Sequence, residues 1–573
     1  MEKIYDIKPL VRFFNLLKVD RKEIFSVYVY AVFNGLIALS LPLGIQAIIN
    51  FITAGQISTS WVILVIIVLI GIAFTGVMQV MQLTITENLQ QKIFTRSAFE
   101  FAYRVPRIKL ESVNQDHVPE LVNRFFDTIT VQKGLSKILI DLSSATLQVI
   151  FGLLLLSFYH PFFILFSLVL ILVIYTIFRI ISPKGLRTSL VESKHKYEVA
   201  HWLEEMGRSV ETFKLAGNSP LPLERTDFAV AKYLKARQAH FKTLMAQYYN
   251  FIGFKLFVAA GLLFIGGLLV INQQMNIGQF VAAEIIIILV IASVEKLIMS
   301  LENIYDVLTA IEKISNVTDL PLERTEGSEW VRSHPNGLSV RLESFTFLNP
   351  DNGQPLLTDI NLAISPGSKT VLMGSAGSGK TLLLQVMAGL YNNFTGLFTY
   401  NDIAINGWNR DDLRSAIGDS LANEDLFEGT IEENISLRKP GVSLEEIKGL
   451  CEMLGLTEFI SHQPHGFATE LLTGGKNLPK HVKVKLLLAR SLAGSPQLIL
   501  LDDTIDQLAK DDRKRLLDYL LRAPSTVVVC SSAPDVVNFM DHTVVMHKGT
   551  IRGAGGTATL LQDPFVLNLL QNY

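Results

Sequence analysis

Eight residues, Gly374-Ser375-Ala376-Gly377-Ser378-Gly379-Lys380-Thr381, complete the pattern G-x-x-x-x-G-K-[ST]. Glycines at those places let backbone N–H groups close around phosphate oxygens, Lys380 adds a positive charge, and Thr381 can reach a Mg²⁺ ion. The pattern carries this meaning only between a strand and a helix. Here the β-rich "TVLM" (370–373) precedes it and the apolar helical "LLLQVMAGL" begins at Leu382, so residues 374–382 are expected to hold phosphates rather than to form an ordinary glycine-rich turn. A second apolar run, Leu498 to Leu501, delivers Asp502 at a strand end, where a carboxylate can hold Mg²⁺ through water.

Those groups need a soluble α/β domain, expected over 338–573. The polar, Pro- and Gly-containing "LPLERTEGSEWVRSHPNG" (320–337) ends a linker placed at 311–337. Net charge is −2, so nothing in the balance of Lys and Arg offers a footprint for a phosphate backbone, and nucleic acid is not expected as a partner. Cys451 and Cys530 are the two cysteines and no Cys/His spacing suits a metal. Both thiols are expected to be reduced and buried.

The rest of the chain reads as lipid-embedded. The composition is 49% hydrophobic and 18% charged, and from Ile24 to Thr86 there is no Asp, Glu, Lys or Arg. Uncharged stretches recur at 142–178, broken at "YHP" (159–161), and at 256–283, which leads through "NQQMNIG" (272–278) into a further apolar run. Six spans follow, at about 24–51, 61–83, 138–158, 161–181, 251–271 and 279–300, making a membrane domain over 24–310. The N-terminal 1–23 is basic and amphipathic without a cleavage site, and is expected to stay attached as an interfacial helix.

The three short connections lack Lys and Arg, whereas the N-terminal segment and the long stretches 84–137 and 179–255 are rich in them. Both termini are therefore expected in the cytoplasm. Folded as paired helices, the long stretches would project roughly 35–40 Å from the bilayer, reversing at "NQDHVPE" (114–120) and "GNSPLPLE" (217–224). These are the expected docking tips. Glu284, inside the sixth span, is a candidate for substrate or partner contact, its ordinary alternative being an interfacial residue that snorkels.

With these features in place, the chain resembles an ABC exporter half-transporter: an α-helical six-span transmembrane domain with long cytoplasmic extensions, fused to an α/β P-loop NTPase domain. "IGDSLANEDLFEGTIEENI" (417–435) is similar to the family's Q-loop region and "GGKNL" (474–478) to its lead-in to the signature. The membrane segments "LPLGIQAIINF" (41–51) and "IGQFVAAEIIIILVIASVEKLI" (277–298) look most like toxin- and peptide-secretion exporters, with no peptidase-like segment expected ahead of the first span. The resemblance implies ATP and Mg²⁺ as cofactors and a dimer, either of two identical chains or with an intact ABC half-transporter. It also implies a peptide or protein substrate, a periplasmic adaptor as a partner, and the plasma (inner) membrane as location.

Against the family's pattern the chain departs at several catalytic positions. The Leu-Ser-Gly-Gly-Gln signature falls on Leu478, Pro479, Lys480, His481 and Val482. Pro479 has no N–H to donate, and Lys480 and His481 place side chains where backbone should approach a phosphate. Lys480 meets a phosphate as a point charge or belongs to a solvated basic face. The Q-loop glutamine falls on Ala422, the catalytic glutamate on Asp503, the switch histidine on Ser532, the D-loop on "DQLA" (506–509), and the adenine-stacking aromatic on Asn349, with Phe347 as a substitute. Asp for Glu withdraws the carboxylate by roughly 1.5 Å, and a misplacement of about 1 Å can cost on the order of a hundredfold in rate. The resemblance so altered implies a chain that binds ATP and hydrolyses it poorly, or an ATP-sensing pseudo-ATPase scaffold that translocates nothing.

Overall fold

The computed structural model describes residues 9–53, 59–113, 118–328, 337–421 and 425–571. The chain divides into two compact units, Met1–Pro106 with His117–Asp319, and Arg107–Asp116 with Leu320–Tyr573.

Among the described residues the first unit holds six helices long and apolar enough to cross a membrane: Arg21–Thr53, Thr59–Arg107, Val118–Ser157, Pro161–Arg208, Leu221–Ile271 and Ile277–Thr318. The first breaks at Leu39, ahead of Pro42. Each expected apolar segment falls on one of these helices, and five of the helices, 40 to 51 residues long, run well beyond a bilayer's thickness. Local chemistry sets the turns. His160 caps the fourth through its side chain, which accepts the Phe162 N–H, with Pro161 at the first position. Asn276 and Gln279 form a capping box at the sixth. Gly217 takes φ +64, the left-handed conformation that the second reversal needs; residues 114–117 of the first reversal lie outside the described residues.

One expectation shifts here. The sixth helix continues to Thr318, beyond 311 where the linker was placed, because Tyr305, Leu308 and Ile311 extend its buried face past the bilayer segment. The N-terminal helix Pro9–Val19 packs Phe13, Leu16 and Leu17 against the unit's core, and Arg12 pairs with Glu312 and Asp319 at 2.6 Å each. Glu284 is half-buried between the buried Ala283 and Ile286.

The second unit is built on a six-stranded sheet in the order Thr550–Gly556, His542–His547, Lys369–Gly374, Thr526–Cys530, Leu498–Leu501, Ile417–Ser420. All neighbours are parallel except the first pair. Its central strands are buried along their whole length, which is why they read as continuous apolar runs rather than alternating ones. A separate antiparallel sheet joins Pro355–Ile364, Val340–Leu348, Phe394–Tyr400 and Ile403–Ala404. Its Phe345, Phe347, Phe398 and Tyr400 form one core with Leu383, Leu384 and Leu500, while Leu486, Leu488, Leu516 and Leu520 belong to a second with Ile499 and Leu501. Both cysteines are buried with free thiols.

Candidate functional site

The buried strand Lys369–Gly374 ends in the turn 375–379, and the helix Lys380–Met387 begins there. The glycines are required by geometry. Gly377 and Gly379 have φ of +75 and +100, and a Cβ on Gly379 would stand 2.9 Å from Leu357 Cδ2. One on Gly374 would stand 2.5 Å from the Met546 carbonyl oxygen. The loop thus encloses a concavity that side chains would fill, at the N-terminus of a helix whose first N–H groups have no partner within it. Lys380 Nζ donates to the Gly374 carbonyl at 2.8 Å and the Ser375 carbonyl at 3.3 Å, holding the ammonium over the turn. Ser378 is 2% exposed and its hydroxyl lacks a partner. Thr381 and Leu382 follow on the helix, both half-buried, Leu382 against the core; Ser375 and Ala376 face solvent.

Asp502, at the end of Leu498–Leu501, is 3% exposed with Oδ1 unpartnered. A buried carboxylate oxygen without a donor is costly. Burial, then Asp502 and Asp503, push the Cys530 thiol well up, and burial followed by Asp502 raises Asp503. This excess negative charge and the empty acceptor are what a divalent cation would satisfy, so Asp502 and Thr381 fit a Mg²⁺ ion and 374–382 fit the phosphates of a nucleotide. Gly379→Ala is accordingly expected to weaken ATP binding by at least about tenfold through strained backbone and the Leu357 clash. Titration with a fluorescent ATP analogue measures it.

At the expected signature position, Pro479 stands as the N-cap of the helix Lys480–Leu492, without a side-chain cap bond. Lys480 and His481 are exposed, Leu478 is half-buried, and Val482 is 3% exposed within the core. The basic run after them is not a solvated face. Lys483 pairs with Asp425 at 2.7 Å and Lys485 with Asp512 at 2.6 Å. Arg490 donates to the Asn434 carbonyl at 2.7 Å and the Asp425 carbonyl at 2.9 Å, clamping the segment that follows the expected Q-loop. Ala422 lies outside the described residues.

Asp503 reaches the surface, and Ser532 is half-buried after the strand Thr526–Cys530. Asp506, in the D-loop position, accepts from Ser531 Oγ at 2.7 Å and lies 3.8 Å from Arg513. One expectation is corrected: Phe347 is 1% exposed, its ring centroid 5.1 Å from that of Tyr391 in the core. A ring so enclosed cannot offer a face to adenine. Asn349 instead forms a turn, its Oδ1 accepting the Asp351 N–H at 2.9 Å. Sequence reading missed the tie between strand ends, where Thr504 Oγ1 donates to the Ser420 carbonyl at 3.1 Å; two unremarkable hydroxyl residues gave no signal.

Two family models match the chain: the ABC transporter transmembrane region over residues 24–294 and the ABC transporter domain over 357–506. The toxin RTX-I translocation ATP-binding protein of Actinobacillus pleuropneumoniae is 27% identical over 369 residues, 63% of this chain and 51% of the relative. The transport/processing ATP-binding protein ComA of Streptococcus pneumoniae serotype 4 is 24% identical over 541 residues, 92% of this chain and 74% of that protein. The match therefore spans about half the length of the toxin relative. A solved bacterial Atm1-family ABC exporter with ATP bound shares the fold, with a TM-score of 0.83, 17% identity, and coverage of 96% of this chain and 98% of the other.

Proposed function

We propose that this chain, which belongs to the ABC transporter family, is the ATP-binding permease subunit of an exporter whose own ATP hydrolysis is weak or absent. The carrying observation is an asymmetry within one domain. The phosphate cradle has its strand, glycine conformations, lysine and buried Asp502, while the positions that act on the γ-phosphate hold Pro479, Asp503 and Ser532. MgATP binds through 374–382, with Thr381 and Asp502 at the metal, and the shorter Asp503 serves poorly as base.

Each composite site of an exporter dimer takes its cradle from one chain and its signature from the other. A dimer with an intact half-transporter leaves one site without a proper base and the other without a proper signature, and a homodimer has both defects twice. The tip near 217–224 supports a partner: Leu215 and Leu223 are 89% and 78% exposed, apolar surface of the kind that docking covers. The relatives' printed names favour a peptide or protein as substrate and, by the same likeness, a periplasmic adaptor. The distribution of Lys and Arg favours both termini in the cytoplasm, and the likeness to exporters of this kind favours the inner membrane.

A second reading, an ATP-sensing scaffold that translocates nothing, is favoured by Ala422, whose methyl group has no polar atom to couple Mg²⁺ to the membrane helices. Steady-state MgATP hydrolysis by the chain alone in lipid nanodiscs, beside Lys380→Ala, tests the proposal. The expected result is a rate close to that of Lys380→Ala together with nucleotide binding that Lys380→Ala loses. Turnover far above the variant would mean that Asp503 is a competent base and the reading is wrong.

A further inference from the structure

Within the second unit, away from the phosphate cradle, a cavity of about 210 Å³ is lined by Lys109, Arg324, Asn392, Asn406, Trp408 and Arg410. Three of these are cations and none is a carboxylate. They come from three stretches of chain. Lys109 belongs to Arg107–Asp116, which the second unit holds by hydrogen bonds from Lys109 N to the Pro321 carbonyl at 3.1 Å and from Glu323 N to the Arg107 carbonyl at 2.8 Å. Arg324 lies in the segment entering the domain, and the other four flank the antiparallel sheet.

Arg410 is the anchor. It is 4% exposed, yet its NH1 has no partner. NH2 donates to Asn392 Oδ1 at 2.5 Å and to Asn406 Oδ1 at 3.2 Å. A guanidinium only donates, so both amides must turn their oxygens to it and keep their NH₂ groups, donors only, for something else. The surrounding carboxylates are held by other partners and none lines the cavity. Glu323 is held by both NH1 and NH2 of Arg414 at 2.6 and 2.8 Å, Asp411 pairs with Arg107 at 2.9 Å, and Glu111 accepts the Asn392 backbone N–H through Oε1 while its buried Oε2 has no hydrogen-bond partner and does not line the cavity. Burial lowers the Arg410 pKa, and the nearby Glu323 and Glu111 carboxylates do not offset it.

A cavity offering an ammonium, two guanidinium groups and two amide NH₂ groups, with no side-chain carboxylate on its wall, suits an anion with several acceptor oxygens. Its volume admits one phosphoryl group with a small substituent. We propose that this cavity binds an oxyanion of the phosphate class, as inorganic phosphate or the phosphoryl end of a small phosphomonoester. The anion ties Lys109, Arg324 and Arg410 together and so fastens the 107–113 segment and the domain's entry segment to the antiparallel sheet. A ligand that binds only the assembled arrangement stabilises it by mass action.

The test uses the full chain in lipid nanodiscs carrying Lys380→Ala, which silences the other phosphate cradle, in phosphate-free, low-salt buffer without nucleotide. Calorimetric titration with inorganic phosphate and with ribose 5-phosphate is expected to show saturable binding at one site per chain. Lys109→Ala with Arg324→Ala should weaken it by at least about tenfold, and Arg324→Lys by less, because the point charge remains. Saturation by phosphate alone assigns the free anion, and equal or tighter binding of the ester assigns a phosphorylated metabolite. In the chain without cavity substitutions, phosphate should also slow acetylation of Lys109 severalfold, read by mass spectrometry, which removes any dependence on how the variants fold. Absence of saturable binding, binding that ignores the Lys109/Arg324 pair, or acetylation of Lys109 at the same rate with and without phosphate would each overturn the proposal.

Discussion

Changing Pro479→Ser, Lys480→Gly and His481→Gly together with Asp503→Glu is expected to raise steady-state MgATP hydrolysis on the order of a hundredfold over the parent chain. The helix that should face a γ-phosphate is present as Lys480–Leu492; what it lacks is a backbone surface at its start. Pro479 removes one N–H, and on the proposed reading the exposed side chains of Lys480 and His481 stand in the way of an approaching phosphate. A single missing donor to a developing charge typically costs about a hundredfold or more. Glutamate at 503 returns the carboxylate by roughly 1.5 Å toward the position of a general base. Restoration stops at 481 for a physical reason: Val482 is 3% exposed in the core, and glutamine there would bury an amide without an evident partner. Glycines in the first turn cost roughly 1 kcal/mol each, which the buried Leu486 and Leu488 on the same helix should offset. Asp503→Glu alone should give a small gain, because the signature defect persists. If the fourfold variant is no faster than its parent, the limiting defects lie elsewhere, Ala422 and Ser532 being next.

How much of this was legible in the sequence follows from which interactions are local. The spans could be read because a bilayer demands uninterrupted apolar length, and the cradle because its glycines, Lys380 and Thr381 are contiguous. Long-range pairs could not. The run Lys480–Arg490 looks solvated by composition, and only the fold shows that Lys483, Lys485 and Arg490 are engaged by Asp425, Asp512 and Asn434. Phe347 failed as an adenine platform for a similar reason. Aromatic content near the right position says nothing about which face of a strand the ring occupies until the register, here Phe347 opposite Leu357 and Phe394, is known. The cavity around Arg410 had no sequence signal at all, since its cations lie at 109, 324 and 410.

Asp512→Ala is expected to destabilise the second unit by about 3 kcal/mol, the usual scale for stranding a buried charge, or a fall of roughly 6–12 °C in its melting transition for a domain of this size. Lys485 and Asp512 have side chains 10% and 14% exposed, with Nζ and Oδ2 2.6 Å apart. Removing the carboxylate leaves an ammonium in the core beside Leu486 and Leu516. The double change Lys485→Met with Asp512→Leu should recover most of the loss, because two apolar side chains of similar volume carry no desolvation penalty. The effect also has a pH signature. Burial alone would raise Asp512, but hydrogen bonds from Lys485 and Arg515 outweigh it and hold the carboxyl below its ordinary value. An acid whose folded pKa is depressed contributes stability above its unfolded pKa of about 3.9, and loses it as pH falls through the folded value. The gap in melting temperature between parent and Asp512→Ala should therefore be full at pH 7 and shrink below about pH 4. A scanning calorimetry series on the full chain measures it. Equal melting of parent and Asp512→Ala at pH 7 would return the basic run to the status of a solvated surface.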